Sequence, residues 1–493
     1  MANKLDIQRP IIFDESIAHY ELHAHQPYAS LTLNNNDEVR ITIQNQNLCI
    51  LPSKSALYIL GKLTKSDNTA VAATTNLVNM EIGHIIKEFR LLMNGVEVDR
   101  SSNVGITSLM KGYVSFSPNQ LSALENAGWV MEDDVKLTNA AGSFDSLIPL
   151  NILSGFAEDY LKVLINVQLE IILTISSSDI NAYIQQAAGA EEVKLTLQKI
   201  EWIVPYVTLS GKEKIQALNY ITSDPAISIS FRTWELYEYP LLPATSRHIW
   251  AVKTSTQLEK PRYVILGFQT ARKNDARKNA SRFDYCTLRN VKLFLNSQSY
   301  PYGDLNLDIN DNQYALLYNM YTDFQSSYYN KEADPLLTKH KFLQEAPLCV
   351  IDCSKQNQAI KSGPVDIRLE FESTNKFPQN TTAYCLIIHD RIVEYNPISS
   401  TVQKLTLNMV VQFDLTPTIH YMYTWSYAYK TARQDFSYDG LSPQNLETNA
   451  LIVEYFEKHM HVFYDDDIAS ADIFPHYSDP RFQMNNVSLV GCR

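Results

Sequence analysis

Three histidines stand close together in the stretch HYELHAH, at His19, His23 and His25. On a strand, His23 and His25 share one face, as a pair of metal ligands must. A β-sheet metalloenzyme would also need a glutamate a few residues on and a further histidine, and HAHQPYASLTL supplies no glutamate there. A second grouping, KHMHVFYDDD, sets His459 and His461 near Asp465, Asp466 and Asp467. An oxygen-rich run can hold Ca²⁺, but a calcium loop of the EF-hand kind also needs a central glycine and a terminal glutamate. Both are missing, so the stretch reads as a solvated acidic turn. The paired carboxylates Asp133–Asp134 and Glu191–Glu192 are adjacent in sequence. Their side chains diverge on strand or helix, which is wrong for a general acid and base. Nucleophile-elbow, P-loop and HExxH motifs are absent. With 15 glycines in 493 residues, few backbones are shaped to cradle a phosphate. The expectation is a protein without catalytic site, cofactor or metal.

One basic cluster stands out, ARKNDARKNASR, with Arg272, Lys273, Arg277, Lys278 and Arg282. The net charge of −12 excludes nucleic-acid binding through the surface at large. The cluster is therefore the one place where a genome or an anionic membrane would be met. A solvated loop is the plainer reading, and no sequence-specific nucleic-acid binding is expected. The six cysteines (Cys49, Cys286, Cys349, Cys353, Cys385 and Cys492) form no CxxC pair, which argues against zinc. They read as buried free thiols.

The chain is 45% apolar and 19% charged, a globular composition able to bury a sizeable core. No run of about 18 apolar residues could cross a membrane as a helix. The start, MANKLDIQRPIIFDESIAHY, lacks the apolar core of a signal peptide, so the expected place of synthesis is inside a cell. Sequons at Asn279, Asn380 and Asn486 then carry no weight.

The elements that would position any site are strands. Val39, Ile41 and Ile43 alternate with polar neighbours; so do Val193, Leu195 and Leu197, and Val365, Ile367, Leu369 and Phe371. Strands with one buried face have this period. They recur along the chain between Asn, Asp, Ser, Gly and Pro clusters, which reads as antiparallel sandwiches or barrels. Helices are few. SPNQLSALENAGW can be capped by Ser117, with Pro118 at the first position, Gln120 at N3 and Gly128 at the end. DNQYALLYNMYTDFQ can be capped by Asp311 or Asn312 and aligns Tyr314, Leu317, Tyr321 and Phe324. A weaker helix lies near AEDYLKVL.

The chain also repeats itself. RLLMNG at Arg90 returns as KLFLNS at Lys292, and ILGKLT at Ile59 as ILGFQT at Ile265. LPSKS at Leu51 pairs with LPATS at Leu242, and IPLNIL at Ile148 with APLCVI at Ala346. VQLEIIL at Val167 pairs with IRLEFES at Ile367, and IVPY at Ile203 with IVEY at Ile392. The matches keep one order at nearly one offset, although the Leu51 and Ile59 pairs conflict by about fifteen residues. This is a tandem duplication of a β-rich unit, far longer than a solenoid repeat. Asn94–Gly95 and Asn296–Ser297 are then one hairpin turn written twice, Asn and Gly tolerating the positive φ of a primed turn. Ser297 suits a looser turn.

EFRLLMNGVEVDR followed by a helix, and later SLIPLNIL and INVQLEIIL, resemble segments of double jelly-roll major capsid proteins. In the second half PLCVIDCSKQNQAIKSGPVDIRLEFES and TAYCLIIHDRIVEYNP resemble polinton-like members of that lineage, which includes virophages and large DNA viruses. The resemblance covers roughly residues 38–400. It implies an all-β fold of two tandem eight-stranded antiparallel jelly rolls with a few short helices. Boundaries read from the sequence at ITSDPAIS, near Asp224 and Pro225, and near Pro417, where the duplication ends, divide the chain into an arm (1–37), a first roll (38–225), a second roll (226–416) and a C-terminal extension (417–493). The resemblance implies a homotrimer forming a pseudo-hexagonal capsomer of an icosahedral shell around double-stranded DNA, with penton and minor capsid proteins as partners and the virion as location. A tandem jelly-roll carbohydrate-binding protein and a duplicated cupin-like enzyme are the alternatives. The missing secretory signal weighs against the first, and the missing ligand frame against the second.

In the extension, Tyr421, Tyr423, Trp425, Tyr427 and Tyr429 alternate without a break after Ile419. On a strand they share a face, which either covers its own chain or locks a neighbouring subunit.

Overall fold

The computed structural model describes residues 16–28, 36–43, 49–131, 135–186, 191–254, 261–296, 298–355 and 365–405. The His459–Asp467 grouping, Ser297, Cys492 and the aromatic run from Tyr421 to Tyr429 lie outside the described residues.

The first half contains β1 (Ile17–His25), β2 (Glu38–Ile43), β3 (Cys49–Ile50), β4 (Ala56–Lys65), β5 (Thr75–Leu77), β6 (Ile86–Met93) and β7 (Val96–Ser102). It continues with β8 (Ser143–Pro149), β9 (Leu164–Ile165), β10 (Leu169–Ile175), β11 (Tyr183–Gln185) and β12 (Val193–Leu209). The second half contains β13 (Ile227–Tyr239), β14 (Arg247–Thr254), β15 (Pro261–Thr270), β16 (Leu288–Leu295), β17 (Gln298–Tyr300), β18 (Cys349–Asp352), β19 (Asp366–Ser373), β20 (Thr381–Tyr395) and β21 (Val402–Leu405). One sheet of the first half runs β8-β4-β12, with β1 on the far side of β12, and the other runs β2-β10-β6-β7. The second half repeats both orders, as β18-β15-β20-β13 and β14-β19-β16-β17. Each half is thus an eight-stranded antiparallel jelly roll. The short strands β3, β9 and β21 extend the first-named sheets.

The alternating residues face inward. Val39, Ile41 and Ile43 on β2 are buried, as are Ile367, Leu369 and Phe371 on β19. Each such side chain contributes about 1.5–3 kcal/mol when removed from water. β20 departs from alternation, since Thr381 to His389 are all buried. Both its faces are covered, so its sequence reads as one apolar run.

The strand ladders correct some of the internal matches. Ile59 and Ile265 both lie on the strand between an edge strand and the central one, paired with Ile200 and with Leu386. LPSKS, however, precedes β4 and LPATS precedes β14, the counterpart of β2, so that match is spurious. Gln168 and Asp366 hold equivalent places beside Asn94 and Asn296, so the VQLEIIL match is two residues out of register. The IPLNIL match is six out, because Ser146 pairs with Ile59 where Val350 pairs with Ile265. A two-residue slip preserves the buried face, which is why pattern matching tolerated it.

Among the described residues seven α-helices fill the connections: α1 (Glu81–Ile85), α2 (Val104–Ser115), α3 (Leu121–Leu124), α4 (Gly155–Asp159), α5 (Gly211–Thr222), α6 (Ala315–Tyr329) and α7 (Lys339–Glu345). The Ser117 capping box forms, but the segment is a broken chain of short turns around α3. α6 buries Leu317, Tyr321 and Phe324 as expected, yet its N-cap is Tyr314 rather than Asp311 or Asn312. α4 stops at Asp159, before most of AEDYLKVL. α1, α2, α5 and α7 were not anticipated. All twelve residues of α2 are buried, so it has no polar stripe to give it away. The described cysteines are free and buried, and burial pushes the Cys349 thiol up to about 12.

Glu81 opens α1 with no exposed surface. Its Oε1 accepts from the Ser146 hydroxyl at 2.6 Å, while Oε2 has no partner among the described residues. Desolvation raises its pKa from 4.5 to about 7. The folded chain therefore holds a proton that the unfolded chain releases, and stability falls as pH rises from about 4.5 to 7. The loss attributable to Glu81 is roughly 3 kcal/mol. Glu81→Gln should flatten this part of the profile in urea titrations across that range; an unchanged slope would contradict the assignment.

Candidate assembly surfaces

The two rolls meet where β13 of the second lies against β7, α2 and α4 of the first. Gly155 starts α4 so close to this strand that a Cβ there would stand 1.7 Å from the Arg232 carbonyl oxygen. Only glycine permits that approach. Asp99 on β7 is 2% exposed and accepts hydrogen bonds from the Thr233 hydroxyl (2.6 Å), the Ser154 hydroxyl (2.5 Å) and the Phe156 amide (3.1 Å). Arg232 grips Asp159 through Nε (2.8 Å) and Nη2 (2.6 Å), donates to the Tyr328 carbonyl at 2.7 Å, and lies 3.5 Å from the Tyr328 ring centroid. Such forked pairs fix orientation as well as distance.

Beside it, Lys111 on α2 is 4% exposed. Its Nζ donates to Glu158 Oε1 (2.8 Å), the Tyr329 hydroxyl (2.9 Å) and the Ser115 hydroxyl (2.9 Å). It also lies 4.4 Å from the Tyr328 ring centroid and 4.9 Å from that of Trp234. The hydroxyl of Tyr328 donates to Glu158 Oε2 at 2.7 Å. The ion pair thus belongs to the first roll, and the groups that seal it belong to the second. Burial lowers the Lys111 pKa, and the charge of Glu158 opposes that shift. None of these residues was singled out from sequence. The available signal was that Lys111 is the sole charge between Arg100 and Glu125.

The repeated turns have a definite geometry. Asn94 and Gly95 have φ of +48° and +79°, as a primed turn requires, and Asn296 has φ of +55°. In both rolls the asparagine does further work. The Asn94 amide donates to the Gln168 carbonyl (2.8 Å) while its Oδ1 accepts from the Gln168 amide (2.8 Å). Asn296 does the same with Asp366, at 3.0 and 2.8 Å. Asn94 Nδ2 also donates to the Ser400 carbonyl at 3.0 Å, tying the first roll to the second.

Because successive strands alternate in direction, the β1–β2, β4–β6, β7–β8 and β10–β12 connections share one end of a roll. The remaining turns and the start of β1 share the other. The basic loop joins β15 to β16 and lies at the first end, opposite the repeated turns. Its contacts agree: Asn274 meets Asn181, and Ser281 meets Asn79 and His84, all in first-roll connections of that end. Arg272 pairs with Asp284 (2.7 Å), Lys273 with Glu238 (2.6 Å) and Arg282 with Glu345 (2.8 Å). Lys278 is exposed and donates to the Thr270 carbonyl at 3.2 Å, and Arg277 is exposed without an ion pair among the described residues.

On β1, His19 and His23 both bond Glu21, the latter at 2.8 Å, and these contacts lower the Glu21 pKa. His25 instead takes the Tyr206 hydroxyl at 3.1 Å. No group of three or more His, Cys, Asp or Glu among the described residues is arranged to hold a metal.

The family model of the double jelly roll-like domain matches residues 75–393, and the chain belongs to that family. It has the fold of viral major capsid proteins. VP54 of PBCV-1, as fitted into the virophage Sputnik, matches at 11% identity and a TM-score of 0.50, over 80% of this chain and 98% of VP54. A chain of the Sputnik virophage particle matches at 11% identity and 0.51, over 82% of this chain and 91% of its own. The Faustovirus major capsid protein matches at 9% and 0.50, over 79% of this chain and 92% of its own. By sequence, no curated protein matches.

The joint gives a prediction. Lys111→Met leaves Glu158 buried without its cation and should cost about 3–5 kcal/mol in urea unfolding. Adding Glu158→Gln should restore most of that. A double variant as weak as the single one would show that packing, not charge, carries the joint.

Proposed function

We propose that the protein is the major capsid protein of a double-stranded DNA virus or virus-like element. Three copies close into a pseudo-hexagonal capsomer, and capsomers tile an icosahedral shell around the genome. The observation that carries this reading is an unspent half-joint on each roll among the described residues. Within the chain, the β13 edge of the second roll meets the β7–α2–α4 side of the first. Among the described residues, that leaves without a partner in the other roll the β1 edge of the first roll and, on the second, β17, β18 and the outer face of α6 at Leu316, whose inner face is spent on α2. Ile229, Phe231 and Trp234 of β13 are 1–3% exposed, whereas Ile17, Tyr20 and Leu22 of β1 are 48–63% exposed. The second roll presents an open groove of about 450 Å³, lined by Tyr300, Leu305, Leu316, Met320 and Phe324 among others. Mating the two is head-to-tail, and such contacts form rings when the rotation closes. Six rolls of similar shape, from three chains, close a hexagon.

In this reading the basic loop serves the joint rather than the genome, since its Asn274 and Ser281 bond Asn181, Asn79 and His84 of the first roll. Penton and minor capsid proteins would meet the outer sides of the ring, and the protein resides in the virion.

Mass measurement at micromolar concentration should give a trimer. Tyr20→Asp with Leu22→Asp alters residues already exposed in the single chain, so the variant should fold and remain monomeric. A full-length chain that is cleanly monomeric, or a variant that still trimerises, would refute the proposed mating. For the aromatic run Tyr421–Tyr429, which lies outside the described residues, we propose cover of its own chain. Truncation after Leu415 should then aggregate, whereas a folded truncation that fails only to trimerise would transfer the run to the subunit contact.

A further inference from the structure

At the end of the molecule that carries the basic loop, a cavity of about 600 Å³ lies between the rolls. One wall is the outer face of the β2-β10-β6-β7 sheet. Thr174, Glu88 and Ser102 stand side by side there, paired across β10, β6 and β7. The opposite wall is Gln269, Lys273, Asn274 and Ala280 with the start of β20, and His84 lies in the lining. The size is that of a small-ligand pocket.

Its charges are unequal. Lys87, Arg100 and Lys273 all line it, and Glu88 is the sole lining carboxylate. Glu88 is shared by Arg100, whose Nε is 2.6 Å away, and Arg90, at 3.5 Å. Glu238, outside the lining, takes Lys273. Lys87 is exposed and has no carboxylate partner among the described residues. The cavity therefore carries surplus positive charge in a protein whose net charge is −12.

Three of its hydroxyls are also unspent. The hydroxyls of Ser102, Thr174 and Ser176 line the cavity and make no side-chain bond to another described residue. Asn181 and Asn274 bond one another at its rim, at 2.7 Å and 3.3 Å. Buried His84, with its pKa lowered to about 4 by desolvation, adds no charge, and its Nε2 is already engaged by the Ser281 hydroxyl at 3.2 Å.

We propose that this cavity binds a phosphate-, sulfate- or carboxylate-bearing small molecule rich in hydroxyls. Lys87 and Lys273 would meet the oxyanion, and the serine, threonine and asparagine side chains the hydroxyls. Charge-assisted hydrogen bonds of this kind are the strong ones. The inference is independent of assembly, because both walls belong to one chain.

Calorimetric titration of the purified protein tests it with a sulfated disaccharide, a nucleoside phosphate and an uncharged disaccharide. At least one anionic probe should bind, more weakly as salt is added, and the uncharged one should not. Binding by the sulfated probe alone would point to a cell-surface saccharide as the source, and by the nucleoside phosphate alone to an intracellular one. Lys87→Ala and Lys273→Gln should each weaken binding about tenfold, with thermal unfolding of each variant compared to that of the parent. Failure of both anionic probes at millimolar concentration would overturn the proposal. So would equal binding of the uncharged disaccharide, or unchanged affinity in both folded variants.

Discussion

The ammonium of Lys111, 4% exposed, is the constraint on which the arrangement of the two rolls depends. An unpaired charge at such a depth would cost several kcal/mol. It is tolerated because Glu158 comes from the same roll while Trp234, Tyr328 and Tyr329 come from the other. Neither roll alone would bury it with its partners. The first would expose the pair to water, and the second would lose the cation against which its aromatic rings sit. A buried ion pair adds little net stability over an apolar replacement, but it penalises misplacement heavily. Here that penalty sets one docking angle. Asp99 and Arg232 apply the same logic, each with its hydrogen bonds divided between the halves.

A joint built this way cannot be symmetric within one chain. Duplication gives each roll an edge strand and an opposing side, and the covalent link consumes one of each. β13 carries Phe231, Arg232, Thr233 and Trp234 at the buried joint, whereas its counterpart β1 carries His19, Glu21 and His23 on an exposed face. The two copies of the edge strand have diverged in chemistry while keeping their place in the sheet. A contact made by β1 would therefore be wetter and more polar than the internal one. Contacts between separate chains that must form and be corrected during assembly differ from a domain core in the same way.

The legible part of the molecule was the part governed by period and backbone. Alternation in EVRITIQ and VDIRLEFE gave strands whose inward residues are buried, and the order of the internal matches gave two like units. Exact register was not legible, because a shift of two residues keeps every side chain on its face, as the VQLEIIL match shows. α2 was missed for the opposite reason: burial on all sides erases periodicity. The joint was missed because its residues are scattered over β7, α2, α4, β13 and α6. Each is unremarkable in its own segment, save the isolated charge of Lys111. Only tertiary placement turns Asp99, Glu158 and Arg232 into one network.

The asparagine of the repeated turn shows what duplication preserves. A positive φ alone would admit glycine, and Gly95 supplies it at the next position. Asn94 and Asn296 instead close a two-way hydrogen bond onto Gln168 and Asp366, the residues at the start of β10 and β19. That bond fixes where the neighbouring strand begins, and so fixes the register of a whole sheet. Its loss would cost more than a turn, since a slip of one residue exposes the buried face. The flanking residues have meanwhile changed freely, from Gly95–Val96 to Ser297–Gln298. What the two rolls still share is thus what each needs in order to fold. What they no longer share, at β1 and β13 and across the joint, is what lets one roll recognise the other.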